Sequence, residues 1–437
     1  MRPMQAATCV LVLATCLGCG SGSAGPKADS AAETFPVDFA GARTPTAAPA
    51  AFVPAFAVKG TVSVNVGKYP SAVAVNPKTN KIYVANNKSK NVTVIDGNTN
   101  KTTTVAVGHE PVAVAVNQST NKIYVLNQKG KAAPDAVNAD GTGSVTVIDG
   151  ATNKTTTVPV DSEPGALAIN EQTNKIYVAN AGSNDVTVID GKTNKPTNVE
   201  LQKDGAEQPN LVLGPQDVRV NPVTDTIYVT GSQNNTIAVI DGKTNNFTIL
   251  LTEGGSPTAP SGLTPTGMAV DTTRNKVYTA NLTSNDVTVM DGTTNAMSPV
   301  PLVDVQDPYT VAVNAITNKI YVANLTSKSV TVIDGATNKA VTIGDLPGKP
   351  HDVVVNPVTN KIYFPLFVLY RGAQVGDDRQ ITGLIAELDG ATNALTFVIA
   401  GITPYAVAVN PTTNKVYVVN QDGNTVTVLT ASGGKGQ

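Results

Sequence analysis

Tryptophan is absent from this chain, histidine occurs twice and cysteine three times. Cys9, Cys16 and Cys19 all lie within the first nineteen residues, so the remainder can form neither an internal disulfide nor a thiolate metal site. Cys16 and Cys19 form a C-x-x-C, but Gly20 stands where a haem attachment motif needs histidine. With only His109 and His351 to offer imidazole, a catalytic zinc, which takes three protein ligands, is not expected, and no cofactor is. Charge of either sign is not in excess: 31 basic residues face 33 acidic ones, a formal net charge of −2. No basic footprint for nucleic acid is present. No run beyond the N-terminus is apolar enough, over a long enough span, for a transmembrane helix. There is also no G-x-S-x-G elbow, P-loop or H-E-x-x-H.

What the sequence has in quantity is Asn, Thr, Val and Gly, the chemistry of strands and turns. Its first segment is different. Arg2, an apolar run over 6–17 and then Gly18-Cys19 read as an export signal over 1–18. The boundary Leu17-Gly18-Cys19 resembles the lipobox of bacterial lipoproteins, which implies lipidation of Cys19 and a membrane attachment by lipid anchor only. Cys16 after Leu13-Ala14-Thr15 is the weaker rival, and simple cleavage and release is the alternative. From 19 to 58 the chain is rich in Ala, Pro, Gly and Ser, the composition of a tether. A folded body over 59–430 and a short tail over 431–437 complete the division.

The body repeats itself. The tyrosine of an Ile-Tyr or Val-Tyr pair recurs at Tyr83, Tyr124, Tyr177, Tyr228, Tyr278, Tyr321, Tyr363 and Tyr417. Each unit reads as four short strands: "SAVAVN" (71–76), "KIYVAN" (Lys81–Asn86), "NVTVID" (Asn91–Asp96) and "TTTVAV" (102–107) in the first. Strands such as "VAVAV" are apolar on both faces, as in sheets sandwiched between sheets. Radial repetition of four-stranded units makes an all-β propeller. The motif "VAVNPxTNKIYVAN…VTVIDGxTN" resembles the YVTN β-propeller repeats of prokaryotic surface-layer and other exported proteins. That resemblance implies architecture and export, and no single activity.

Eight units predict eight blades, with seven as the alternative. The last unit stops after its third strand, and "TVSVNV" (61–66) is an orphan at the other end. Pairing the two closes the ring.

Loop lengths give a map. Hairpins joining strands one and two, and three and four, share one face; the other hairpins and the inter-blade links share the opposite one. The span from the strand-one Asn (Asp271 in one unit) to the Tyr is always seven residues. All four long insertions, at 128–143, 202–214, 252–264 and 365–383, fall on the opposite face. Seven "D-G-x-T-N" type turns, starting at Asp96, Asp149, Asp190, Asp241, Asp291, Asp334 and Asp389, read as hairpin closure rather than a calcium site. A proline six residues before each strand-one Asn or Asp, from Pro70 to Pro404, is expected to ring the channel mouth.

Around those prolines the residues vary: Tyr69, Glu110, Glu163, Asp307, Tyr309, His351 and Tyr405, with Asp217, Arg219 and Asp352 breaking a run of small residues within strand one. These are the candidate binding residues. Asp217 and Arg219, two apart on one strand, share a side and can pair with each other. "FPLFVLYRG" (364–372) is either a partner surface or an extended hairpin folded back. The reading that follows is a monomeric, non-catalytic binding scaffold of the cell envelope, its partner a protein or a polysaccharide. A lyase- or lactonase-like propeller with His351 and carboxylates at the mouth, and a purely structural surface-layer role, are the alternatives. Quinoprotein propellers, which stack a cofactor on Trp, are disfavoured because there is no Trp.

Overall fold

The computed structural model describes residues 60–129, 142–202, 212–256, 259–368 and 383–430. The proposed leader, tether and tail lie outside them. The described residues form eight antiparallel sheets in ring order, an eight-bladed β-propeller. Blades one to seven begin at Pro70, His109, Pro164, Pro215, Pro265, Pro308 and Lys349. The eighth consists of Pro404–Asn410, Lys415–Asn420, Thr425–Thr430 and, as its outer strand, Thr61–Asn65. Thr61 lies opposite Leu429 and Asn65 opposite Thr425, so the N-terminal strand closes the ring as the strand count required, one residue shorter than expected.

The strand sequences explain the packing. In the second and third strands nearly every residue is buried, because neighbouring blades cover both faces of the sheet. Outer strands such as Thr102–Ala106 bury only one residue in five and expose the rest. The core is therefore divided among the seams. One apolar cluster joins Tyr177, Val186 and Val188 of blade three to Val218, Ile227 and Val229 of blade four. The closing seam joins Val64, Tyr417 and Val426 to Ile82, Val84 and Ile95. All eight repeat tyrosines are fully buried in these seams.

The turn face is a ring of polar links. Asp96 Oδ1 accepts from the N–H groups of Asn98 (3.0 Å) and Thr99 (2.9 Å) and from the Thr99 hydroxyl (3.0 Å). The same pattern recurs at Asp149, Asp190, Asp241, Asp291 and Asp334. These donors hold the turn carboxylates below the usual Asp range. The Gly after each Asp is required by close approach: a Cβ on Gly97 would sit 2.3 Å from Asn80 Oδ1.

The Asn-Lys pair of the repeat has a role that the strand pattern did not reveal. Asn76 Nδ2 donates to Asn121 Oδ1 of the next blade at 2.9 Å, and Lys81 Nζ donates to the Gly150 carbonyl of that blade at 3.0 Å. Equivalent Asn links run between other successive blades, including Asn410 to Asn80 across the closure. The repeat is thus written in Asn and Lys because those side chains tie each blade to the next.

Candidate functional site

The opposite face carries the channel mouth. Hydrogen bonds from Ala181 N–H to the Glu163 carbonyl, and from Leu325 N–H to the Asp307 carbonyl, show that second hairpins and inter-blade links share it. The ends of the four long insertions stand there too. Within 252–264 an additional hairpin pairs Gly254–Ser256 with Ala259–Ser261. Residues 130–141, 203–211, 257–258 and 369–382, the middles of these loops, lie outside the described residues.

The structure sorts the sequence candidates into two sets. Tyr69, Glu110, Glu163 and Asp307 precede the prolines and adopt φ between +51° and +56°. Gly214 (φ +59°), Thr264 (+55°) and Thr403 (+56°) take the same left-handed turn in three further blades. This left-handed turn points the side chain along the rim, to the second hairpin of its own blade. Tyr69 lies under the Lys88 ammonium, 4.0 Å from the ring centroid. Glu110 pairs with Lys129 at 2.6 Å. Thr264 and Thr283 hydroxyls meet at 2.7 Å, Thr403 donates to Asp422 at 2.7 Å, and Thr326 donates to Asp307. Glu163 packs beside Gly182. These are rim clips, each nineteen residues long and each with its own chemistry.

The second set lies on the channel wall: Asp217 and Arg219 of blade four, Tyr309 of blade six, His351 and Asp352 of blade seven, and Tyr405 of blade eight. The two aspartates do the same thing. Asp217 Oδ1 takes the next N–H in its own strand, Val218 (2.8 Å), and Oδ2 takes Met268 N–H of the following blade (2.8 Å). Asp352 takes Val353 N–H (2.8 Å) and Val407 N–H of blade eight (3.0 Å). The pairing register slips between Pro215 and Val218, and the inner strand of blade seven is interrupted between Pro350 and Val354. Each carboxylate therefore joins two blades and is fixed before any ligand arrives.

Arg219 pairs with Asp217 at 3.1 Å, as their spacing suggested, and its Nε donates to the Met268 carbonyl at 2.9 Å. Its side chain is still 44 % exposed. The wall groups sense one another across the channel. Arg219 helps to lower Asp352, while Asp352 and Asp217 help to raise the Tyr309 phenol. Burial is the larger cause in every case. It raises Asp352 to about 6, raises Asp217 and the phenols of Tyr309 and Tyr405, and lowers His351 to about 4. His351 stands 5.4 Å from the Tyr405 ring and 6.1 Å, edge-on, from Phe367.

Phe367 is the described part of the 364–372 segment that reaches this site. Phe364 and Leu366 are fully buried in the seam of blades six and seven, which settles them as core. Tyr370 lies outside the described residues. Sequence reasoning did not single out Lys88, Lys129 and Thr326, the rim partners. Their constant distance from the pre-proline residue was the available signal.

These features define an eight-bladed propeller with an asymmetric polar and aromatic channel mouth. Residues 89–256, from blade one to the hairpin after blade four, match the sequence model of the Choice-of-anchor I domain. That likeness agrees with a cell-surface or exported protein. No curated protein matches the chain. Among solved structures, hydrazine synthase of Kuenenia stuttgartiensis is similar in fold: TM-score 0.52 and 18 % identity, over 85 % of this chain and 98 % of that one.

Proposed function

We propose that this protein is an exported, envelope-anchored propeller that binds a partner at its channel mouth and does no chemistry on it. The observation that carries this reading is the unequal wall. Blades one to three present Ala74, Ala115 and Ala168 where blade four presents Arg219, and Ala72, Ala113 and Ala166 where blades four and seven present Asp217 and Asp352. The two carboxylates also tie neighbouring blades, but blades one to three are joined without such groups, and buried charge is costly unless paired. Concave sites with a few convergent polar groups are the usual places of recognition. Anchoring is assigned to Cys19, with 20–58 as the tether. The mature N-terminus decides that part: mass spectrometry should find a diacylated Cys19, and an unmodified terminus elsewhere removes the anchor.

Binding is tested with envelope extract from the source cell. The wild-type protein should retain a component that the Arg219→Ala and Tyr405→Ala variants lose, while changing Asp96 or Asp190 on the turn face leaves retention intact. The reverse pattern would put the working surface on the wrong face. A second reading has one observation in its favour. Asp352, raised by burial to about 6, follows His351 in the chain, and burial lowers His351 to about 4, so a raised acid and a lowered base are consecutive residues. A lyase- or lactonase-like activity would show as turnover lost in Asp352→Asn with binding kept.

A further inference from the structure

We propose that the ligand held at the channel mouth is a saccharide, bound with a ring face against Tyr405 and His351 and its hydroxyls between Arg219 and Asp352. The inference rests on the binding reading above and names the chemistry of its ligand.

Four properties of the wall lead to it. The first is the aromatic surface. Beyond the eight tyrosines buried in the seams, the chain has only four others, and Tyr69, Tyr309 and Tyr405 all stand at the mouth. Tyr405 and His351 lie 5.4 Å apart, and Phe367 meets His351 edge-on at 6.1 Å. Aromatic faces attract the C–H groups of a ring that is apolar on its faces and polar on its edge. Burial lowers His351, so this surface carries no positive charge near neutral pH.

The second is the balance of donors and acceptors. Arg219 uses Nε on the Met268 carbonyl and Nη2 on Asp217, and Nη1 meets no partner among the described residues. The Tyr309 and Tyr405 hydroxyls likewise make no hydrogen bond among the described residues. Asp352 is an acceptor with lone pairs beyond the two used by backbone N–H groups. A ligand that meets donors and acceptors alternately must itself be both. Hydroxyl groups are both.

The third is charge. Asp217 and Arg219 pair with each other, and the wall around His351 adds one group of each sign, Asp352 and Lys349, so neither sign dominates. Such a site selects neither a polyanion nor a polycation. That disfavours acidic or basic peptides and phosphate-bearing ligands, which call for charge of one sign.

The fourth is rigidity. Both aspartates are fixed by backbone donors from two blades, and Arg219 is fixed at two of its three nitrogens. A neutral, weakly held ligand gains most from groups that lose little freedom on binding.

The source of the sugar, free oligosaccharide or envelope glycan, is separated by the test. Chitotetraose, cellotetraose and xylotetraose are titrated into the whole protein by calorimetry, with tyrosine emission as a second signal that the absence of Trp leaves unmasked. At least one should bind. Tyr405→Ala and Arg219→Ala should weaken it about tenfold or more. Tyr405→Phe, which keeps the ring, should weaken it less, and Lys154→Ala on the exposed turn face should leave it unchanged. Circular dichroism melts confirm that each variant is folded. The same tetrasaccharide should displace retained envelope material if the natural source is a glycan, and should bind without displacing anything if it is a free sugar. No binding by any of the three overturns the proposal, as does binding that survives Tyr405→Ala and Arg219→Ala together. Envelope retention that needs Arg219 and Tyr405 but that no sugar displaces, with no sugar bound, would keep the mouth as the site and overturn the saccharide.

Discussion

On the turn face, Asp96, Asp190 and Asp334 make the same three hydrogen bonds to the same positions of the same turn. On the mouth face, the position before the proline holds Tyr, Glu, Thr or Asp in six blades and Gly214 and Lys349 in the others, and the fastenings to the hairpin range from a cation–π contact to an ion pair and hydroxyl hydrogen bonds. The first surface is repeated because each turn must meet the next blade in one geometry, with Gly beneath the Asn and Lys reaching the following carbonyl. The second needs only that the rim be fastened, and any complementary pair serves. Freedom from the inter-blade constraint is what lets the mouth diversify. The contrast teaches that in this ring repetition marks assembly and irregularity marks the surface open to function.

The largest test opens the ring itself and so sets a scale for both faces. Deleting Thr61–Asn65 removes the outer strand of blade eight and uncovers Thr425–Thr430 as an edge. It should cost on the order of 5 kcal/mol and lower the thermal midpoint by about 10 °C. A melting curve that does not move would mean that the closing strand carries little of the stability.

A change on the turn face should harm stability and spare the mouth. Gly97→Ala puts a Cβ 2.3 Å from Asn80 Oδ1 and 2.7 Å from its carbonyl oxygen. The turn must move, at a cost of about 3 kcal/mol. Urea unfolding measures that loss, and ligand retention at the mouth should be unaltered. Lost retention with stability intact would break the division between the faces.

The mouth should show itself in pH dependence rather than in total stability. His351 is lowered from 6.5 to about 4, so between those values the unfolded chain binds a proton that the folded chain refuses. Its contribution is present above pH 6.5 and lost as pH falls towards 4. Asp352 is raised from 3.8 to about 6, so here the folded chain binds the proton first, and stability is lost as pH rises from 4 to 6. Each effect is at most roughly 3 kcal/mol, and the two oppose each other. Lys349, Arg219, Tyr309 and Tyr405 surround the pair. Relative to the wild type, Asp352→Asn should gain a stability that climbs from pH 4 to 6, and His351→Phe one that declines from pH 4 to 6.5. Parallel profiles for all three proteins would mean that neither group is perturbed.

Much of this was legible in the sequence. The tyrosine period gave eight sheets, and the strand count gave the closure, because both follow from local alternation and from the need to pair edges. The placement of Asp217 beside Arg219 followed from a two-residue spacing on one strand. The split between rim and wall did not follow. Asp307 and Tyr309 flank one proline and look equivalent as letters, yet a φ of +55° turns Asp307 to its own hairpin while Tyr309 faces the channel. That backbone state depends on the tertiary turn and leaves no mark in composition. The convergence of Arg219 with Asp352, from blades three apart, depends on the curvature of the whole ring. The Asn and Lys links were hidden for another reason: a strand-end Asn reads as turn chemistry until the neighbouring blade is in place.

The smallest expected effect concerns the blade that departs from the turn-face rule. Asp271 stands where the other seven units have Asn, and a carboxylate cannot donate to Asn318 of the next blade. The Asn318 side-chain oxygen is buried without a hydrogen-bond partner. Three residues on, Arg274 replaces the Thr found in the other seven turns. Its Nη1 meets Asp271 Oδ2 at 2.9 Å and the Ala315 carbonyl of the next blade at 2.8 Å. The two departures therefore form one substitute link: the arginine carries across the seam what the asparagine carries elsewhere. Arg274→Thr alone should cost about 1–2 kcal/mol, because it leaves the fully buried Asp271 without its cation. Asp271→Asn alone gains the missing donor and loses the ion pair, so it should change stability by about 0.5 kcal/mol or less. Combining them restores the repeat's own link, and the double variant should recover about 1 kcal/mol over Arg274→Thr. Strictly additive losses in urea unfolding would mean that the two positions vary independently, and that blade five meets blade six by packing alone.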